Sequence, residues 1–440
     1  MANAVADTKK AHYLEAIDAR QSGALPEWAD AVRQTGADRF QQAEMPHTRL
    51  EEWRQTNIAP IVNTPYASVG GPTDHGLTPA DVAALLLSED WTELVFVDGF
   101  YAPDLSRTRA LPEGVRVASL REAIDAGDPV VREHLGQVVA DRGAYPALNA
   151  ALMQDGAFVH VPRNTALDAP VHLLFLASAA AADRARHPRN LVVLGESAEA
   201  TVTVTHAAVD GAGGYLENVV DEVVLRPNAR LRWHKLVRGS ADGNHLATTE
   251  VRQHRDSRLE AFAFTLSGKV TRNQLCVGLA EEGATCSLSG LYLNDGDRLT
   301  DNALDIHHAV PHCASRIAYK GVLDGRSKAV FTGKVYVAPD AQQTDSDQLS
   351  NNLLLSDTAT IDAKPQLEIY ADDVKCTHGA TVGSPPEEIV FYFRSRGISE
   401  QDALSMLTFG FAEEIVADLE EPVLRDRLTG YLETTFRGAH

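Results

Sequence analysis

Along the chain the spacing of apolar residues changes period twice. Up to about residue 150 it is mostly helical. A helix over PEWADAVRQ opens at Pro26. Thr78-Pro79 offers an N-cap and first-turn proline to ADVAALLL, and Ser119 with Glu122 makes a capping box before LREAIDAG, with a stop at Gly127. One short strand, ELVFVDGF (Glu93–Phe100), interrupts these helices. From about 151 to 383 the period falls to two. Val202 and Val204 alternate with Thr201, Thr203 and Thr205 in EATVTVTH. RLEAFAFTLSG, ATCSLSGLYLN and AVFTGKVYVAP repeat the theme, each run bounded by Gly, Asn, Asp or Pro. So many short strands without long helices predict a sandwich, a barrel or a solenoid. No fixed period selects the solenoid. From 384 to 440 the helical period returns. Ser384-Pro-Pro-Glu387 reads as a capping box for EEIVFYFRSR, which Gly397 stops. Ser399 caps a second helix with an apolar face of Leu404, Leu407, Phe411 and Ile415, and VLRDRLTGYLETTF follows Pro422. The division is therefore 1–150 mostly helical, 151–383 β, and 384–440 helical.

Composition narrows the function. With 440 residues, 44% apolar and 23% charged, the chain is long enough for two or three structural units of ordinary globular composition. Its net charge of −21 repels phosphate backbones and anionic lipid, and favours a partner with a basic patch. The cysteines Cys276, Cys286, Cys313 and Cys376 have neither zinc-knuckle nor redox-dithiol spacing, which fits a reducing compartment. MANAVADTKK lacks the form of a signal peptide, and no apolar run reaches membrane-span length. A cytoplasmic protein without nucleic-acid or membrane partners is expected. No phosphate-binding loop, His-Glu-x-x-His or Gly-x-Ser-x-Gly is present, so ATP hydrolysis by this chain alone is not expected.

Several segments, in order, resemble the SufB/SufD family. They are HTRLEEWRQT (His47–Thr56), ELVFVDGFYAPDLS (Glu93–Ser106), LNAALMQDGAFVHVP (Leu148–Pro162), YKGVLDGRSKAVFTGKVYV (Tyr319–Val337), AQQTDSDQLSNNLLLS (Ala341–Ser356) and LEIYADDVKCTHGATVG (Leu367–Gly383), the last followed by EEIVFYFRSRGIS. Thr377-His378-Gly379 stands where SufB-type members have Glu-His-Glu, which puts the chain on the SufD side of the family. The resemblance implies a mainly β fold, a right-handed parallel β-helix between an N-terminal α-rich region and C-terminal helices. It implies a non-catalytic scaffold in iron–sulfur cluster assembly. Such a scaffold pairs with a SufB-like homologue through the β-helix and docks a SufC-like ATPase through residues 384–440. The cluster is transient and shared with SufB. The sequence leaves open whether the isolated chain forms a homodimer and whether a flavin joins the complex. Two other readings stand beside this one: a SufB-type protein that nucleates a cluster unaided, and a β-helix carbohydrate-active enzyme.

His378 is the principal candidate ligand, because imidazole suits iron when an acceptor holds its other nitrogen. Read from the sequence, it lies just beyond a strand in a loop. The plainer reading is a histidine that pins that loop. Cys376, two residues earlier, shares its face if the segment is extended, and thiolate is the usual cluster ligand; most free cysteines, however, are small buried residues. Glu368, Asp372 and Asp373 are candidates to orient His378 or receive iron, against the commoner role of solvated or turn-shaping acids. His307, His308, His312 and Cys313 make a metal-like cluster, but Pro311 argues against a helix there and structural hydrogen bonds are the better account. Cys276 and Cys286 read as buried small side chains, with stacking in neighbouring coils as the other possibility. For the ATPase-facing surface the candidates are Phe391, Tyr392, Arg394, Arg396 and Phe411, with core packing competing for the two phenylalanines.

Overall fold

The computed structural model describes residues 2–20, 25–139 and 141–437. From Ala157 onward, successive strands alternate between two sheets, except that Arg184–Arg186 and Arg189–Leu194 both join the first. Among the described residues the strands form one sheet of 11 and one of 10, almost all parallel. Each coil contributes one strand to each sheet, the architecture of a parallel β-solenoid, as the resemblance implied. No clean repeat shows in the sequence because the turns vary. In-register partners in the first sheet are separated by 26 residues at Asn244↔Val270 and by 32 at Lys328↔Thr360.

Inward-facing residues stack in columns along the rod. One column runs Val171, Val202, Trp233, Ala261, Leu288 and Ile317, and then turns polar at Gln348 and His378. The apolar part belongs to the continuous core between the sheets. Outward-facing residues are also apolar where helices cover them. Phe262, Phe264, Leu291 and Leu293 pack beneath the C-terminal helices Glu400–Ala417 and Pro422–Arg437.

The sheets begin earlier in the chain than the pattern put them. Thr92–Val97 already pairs in parallel with Val171–Ala177 in the second sheet. Arg116–Ser119 runs antiparallel to Ala157–Val161, and Phe100–Tyr101 antiparallel to Thr92–Val97, so short reversed strands finish this end of the rod. Helices Ala2–Ala19, Glu27–Gln42 and Ala144–Leu152 share a core that also takes in Leu216, Leu246 and Val270 of the first sheet. The first of these helices is absent from the sequence reading.

At the other end the helix Glu387–Ser395 is capped at Pro386 without a side-chain hydrogen bond. The expected Ser384 capping box does not form, because the serine lies two residues too early. Gly397, at φ 84°, stops the helix as expected. The Ser399 hydroxyl accepts from the Asp402 N–H and starts the next helix. Its buried face is Ala403, Thr408, Phe409, Ala412, Ile415 and Val416; of the expected Leu404–Leu407–Phe411–Ile415 stripe only Ile415 is buried, because the helix packs on both the solenoid and the last helix.

Candidate functional site

The last strand of each sheet, Thr360–Ile369 and Val374–Gly383, bonds to one neighbour only, and neither contains a buried residue. Among the described residues nothing covers their outer edges. Two parallel strands thus end the rod with free N–H and C=O groups. Such an edge in a lone protein invites pairing with another chain.

His378 lies in the middle of Val374–Gly383, on a strand rather than in a loop, and is exposed. It shares strand parity with Val374 and Cys376, both of which pack against the solenoid core. His378 therefore crowns the column above Gln348. The Gln348 side chain is 1% exposed, and neither of its amide atoms has a hydrogen-bond partner.

Cys376 is half-buried. Burial pushes its thiol pKa up, and nearby Asp345 adds to this against an opposing backbone hydrogen bond from Ser346. The thiol form is favoured, which weakens it as a ligand while this end stands alone.

The acidic candidates do not gather around His378. Glu368 lies on the other sheet with outward parity. It pairs with Lys334 at 3.1 Å and accepts from Gln366 Nε2 at 2.7 Å, on one wall of a groove of about 690 Å³. Asp373 shapes a turn: its N–H donates to Gln342 Oε1 at 2.8 Å, and its carboxylate accepts from Gln343 Nε2. Asp372 is exposed beside it.

Among the described residues, the other histidines and thiols singled out in the sequence form no metal-ligating cluster. His307 and His308 face opposite sides of their strand. His307 meets Tyr336 edge-on at 4.7 Å. His308 is buried against Ser315 Oγ at 2.9 Å, and burial pushes its pKa down to about 4. His312 occupies the turn with φ 61°, and Cys313 is buried. Cys276 and Cys286 lie in different sheets and do not stack. Burial pushes the Cys286 thiol up to about 12.

The helix Glu387–Ser395 buries no residue. Phe391 is 71% exposed and Tyr392 55%; Ile389 and Met406, which the sequence reading missed, are exposed with them. Arg394 pairs with Glu400 at 3.2 Å, and the Arg396 guanidinium lies 5.2 Å from the Tyr392 ring. Phe411 does not join this surface. Its ring faces Lys320 at 4.6 Å, within the contact between helix and solenoid.

Comparison with known families decides what this architecture is. Residues 175–411 match the model described as SUF system FeS cluster assembly, SufBD core domain, and residues 11–173 match the SufBD protein N-terminal region. The chain belongs to the SufBD family. It is similar to an iron–sulfur cluster assembly SufBD family protein of Synechocystis, at 34% identity over 96% of each chain. It is also similar to the iron–sulfur cluster assembly protein SufD of Escherichia coli, at 31% identity over 92% of this chain and 95% of the relative. The SufBD core match takes in both the open strands and the exposed helix, so these features lie inside the family domain.

Proposed function

We propose that this chain is a SufD-type scaffold subunit, itself non-catalytic, that works in the cytoplasm beside a SufB-like homologue and a SufC-like ATPase. The observation that carries the reading is the open end of the solenoid: two free parallel edges with an exposed imidazole set between them. A homologous solenoid pairs with that end by strand addition, and hydrogen bonds along the backbone hold it. His378 then lies at the junction, where it lends one nitrogen to a nascent cluster handled as cargo.

The thiolates come from the partner. Three of this chain's four thiols are buried and the fourth, Cys376, is half-buried with a raised pKa, a poor set for nucleating a cluster unaided. A carbohydrate-active site fares no better in the groove, where Glu51 is paired with Lys364 at 3.0 Å and Glu368 with Lys334. No helix among the described residues is long and apolar enough to cross a membrane. The exposed aromatic helix is the docking surface for the ATPase, whose closure would strain the shared junction.

The test is His378→Ala in a co-expressed assembly. Folding and subunit composition stay as in the wild type, while cluster build-up under anaerobic reconstitution falls at least severalfold. Undiminished build-up removes the ligand role. Loss of assembly instead of chemistry shows a purely structural residue.

A further inference from the structure

Far from the open end, the first coils contain a sealed polar knot. His206 lies on Glu199–Ala208 in the second sheet. Glu217 and His245 are in-register partners on Leu216–Leu225 and Asn244–Gln253 in the first. All three are buried, at 1%, 1% and 3% exposure. His245 Nδ1 is 2.8 Å from Glu217 Oε2, and His206 Nδ1 is 3.1 Å from the same oxygen. The latter contact lacks the alignment of a hydrogen bond, and His206 Nε2 and His245 Nε2 have no partner either.

Carboxyl groups outnumber lysine and arginine side chains in the knot. Arg186 serves two buried acids, with Nε 3.0 Å from Glu217 Oε1 and Nη1 3.7 Å from Asp98 Oδ1. The next acid, Asp221, already has Lys235 at 3.5 Å. Arg186 and Lys235 thus face three buried carboxyl groups, Glu217, Asp98 and Asp221, in a place that excludes water, where polar groups need partners.

We propose that His206, Glu217 and His245 bind a divalent transition ion, zinc or ferrous iron, at this corner. Two imidazoles and one carboxylate are a ligand set that suits both ions. The two Nδ1 atoms lie 2.8 and 3.1 Å from one carboxylate oxygen, and the three donors are within 4.8 Å of one another, close enough for one ion to be reached by bonds of about 2.1 Å. Arg186 holds the other carboxylate oxygen, and the ring of Phe175 stacks on His206 with centroids 5.1 Å apart, so the donors are fixed in place. The ion ties the two sheets together where the rod begins. It is separate from the cargo handled at His378.

Because the knot is sealed, loading must accompany folding. The full chain is unfolded in urea with chelator, then refolded with and without Co2+ alone. Wild-type protein takes up one equivalent, shows visible d–d absorption without a thiolate charge-transfer band, and melts several degrees higher than the metal-free sample. Glu217→Gln and His206→Asn lose the absorption and the gain in melting temperature; His378→Ala keeps both. Wild-type protein that refolds without absorption and with unchanged melting overturns the site. Absorption that survives in both variants overturns it equally. The wild-type arm decides even if a variant fails to refold.

Discussion

At the scale of single residues, the rod depends on paired large and small side chains in adjacent coils. Tyr292 lies over Gly321 and Tyr319 over Gly290, each an in-register pair. A Cβ on Gly321 would sit 2.3 Å from the Tyr292 ring, which is fully buried and cannot swing away. Gly321→Ala is therefore expected to cost about 1–3 kcal/mol in urea unfolding, the usual range for overpacking. An unchanged midpoint would show that the ring has room. Buried histidines set the response to acid. Burial holds His187 at about 3 and His234 at about 4, as it holds His308 at about 4. Their unfolded counterparts titrate near ~6.5. The unfolded chain thus binds protons first as pH falls. The stability due to these neutral rings is complete above that pH and drains away between it and the folded values, about 4 for His234 and His308 and about 3 for His187, at up to ~1.4 kcal/mol per unit for each ring. Urea midpoints that stay flat across this window would contradict the assignment.

At the scale of elements, the C-terminal helices divide into two that anchor, Glu400–Ala417 and Pro422–Arg437, and one that stands exposed, Glu387–Ser395. Arg396→Glu at the end of Glu387–Ser395 should weaken capture of the SufC-like ATPase severalfold in a pull-down and leave the melting temperature alone, since this helix buries nothing. Ala412→Glu, at a fully buried position in Glu400–Ala417, should lower the melting temperature instead. Equal effects of the two changes on capture and on melting would erase the division. Much of this level was legible in the sequence. The alternation of Val and Thr in EATVTVTH, the Ser399 cap and the Gly397 stop all follow from local physics that tertiary contacts did not override. What stayed illegible is contact across coils. Glu368 and His378 are ten positions apart and read as neighbours, yet consecutive strands of a solenoid belong to opposite sheets. His206, Glu217 and His245 meet although no local pattern joins them. The strand LENVVDEVVL is buried at every position, charges included, because helices cover its outer face, and nothing in a period of two announces that. Phe411 misled for a related reason: an apolar stripe marks a face that packs, without saying on what.

At the scale of the whole molecule, the net charge of −21 should govern encounter. Association with a SufB-like partner or the ATPase through basic surfaces is expected to slow as salt rises from ~0.01 to 0.15 M, as screening shortens the reach of the field. Native mass measurement of the co-expressed proteins should give one copy of this chain, one SufB-like chain and two ATPase chains; the same measurement on the isolated chain should show a pair that the SufB-like chain displaces. A stable monomer that ignores the partner would refute the pairing surface. The two ends of the rod also differ in kind. One finishes in two short reversed strands, Phe100–Tyr101 and Arg116–Ser119, and the other in two long parallel strands with no strand beside them among the described residues. A body adhesive at both tips would string into fibres of unlimited length. With one tip blunted, joining through the open tip would use up the open end of each rod, so end-to-end growth would halt at two.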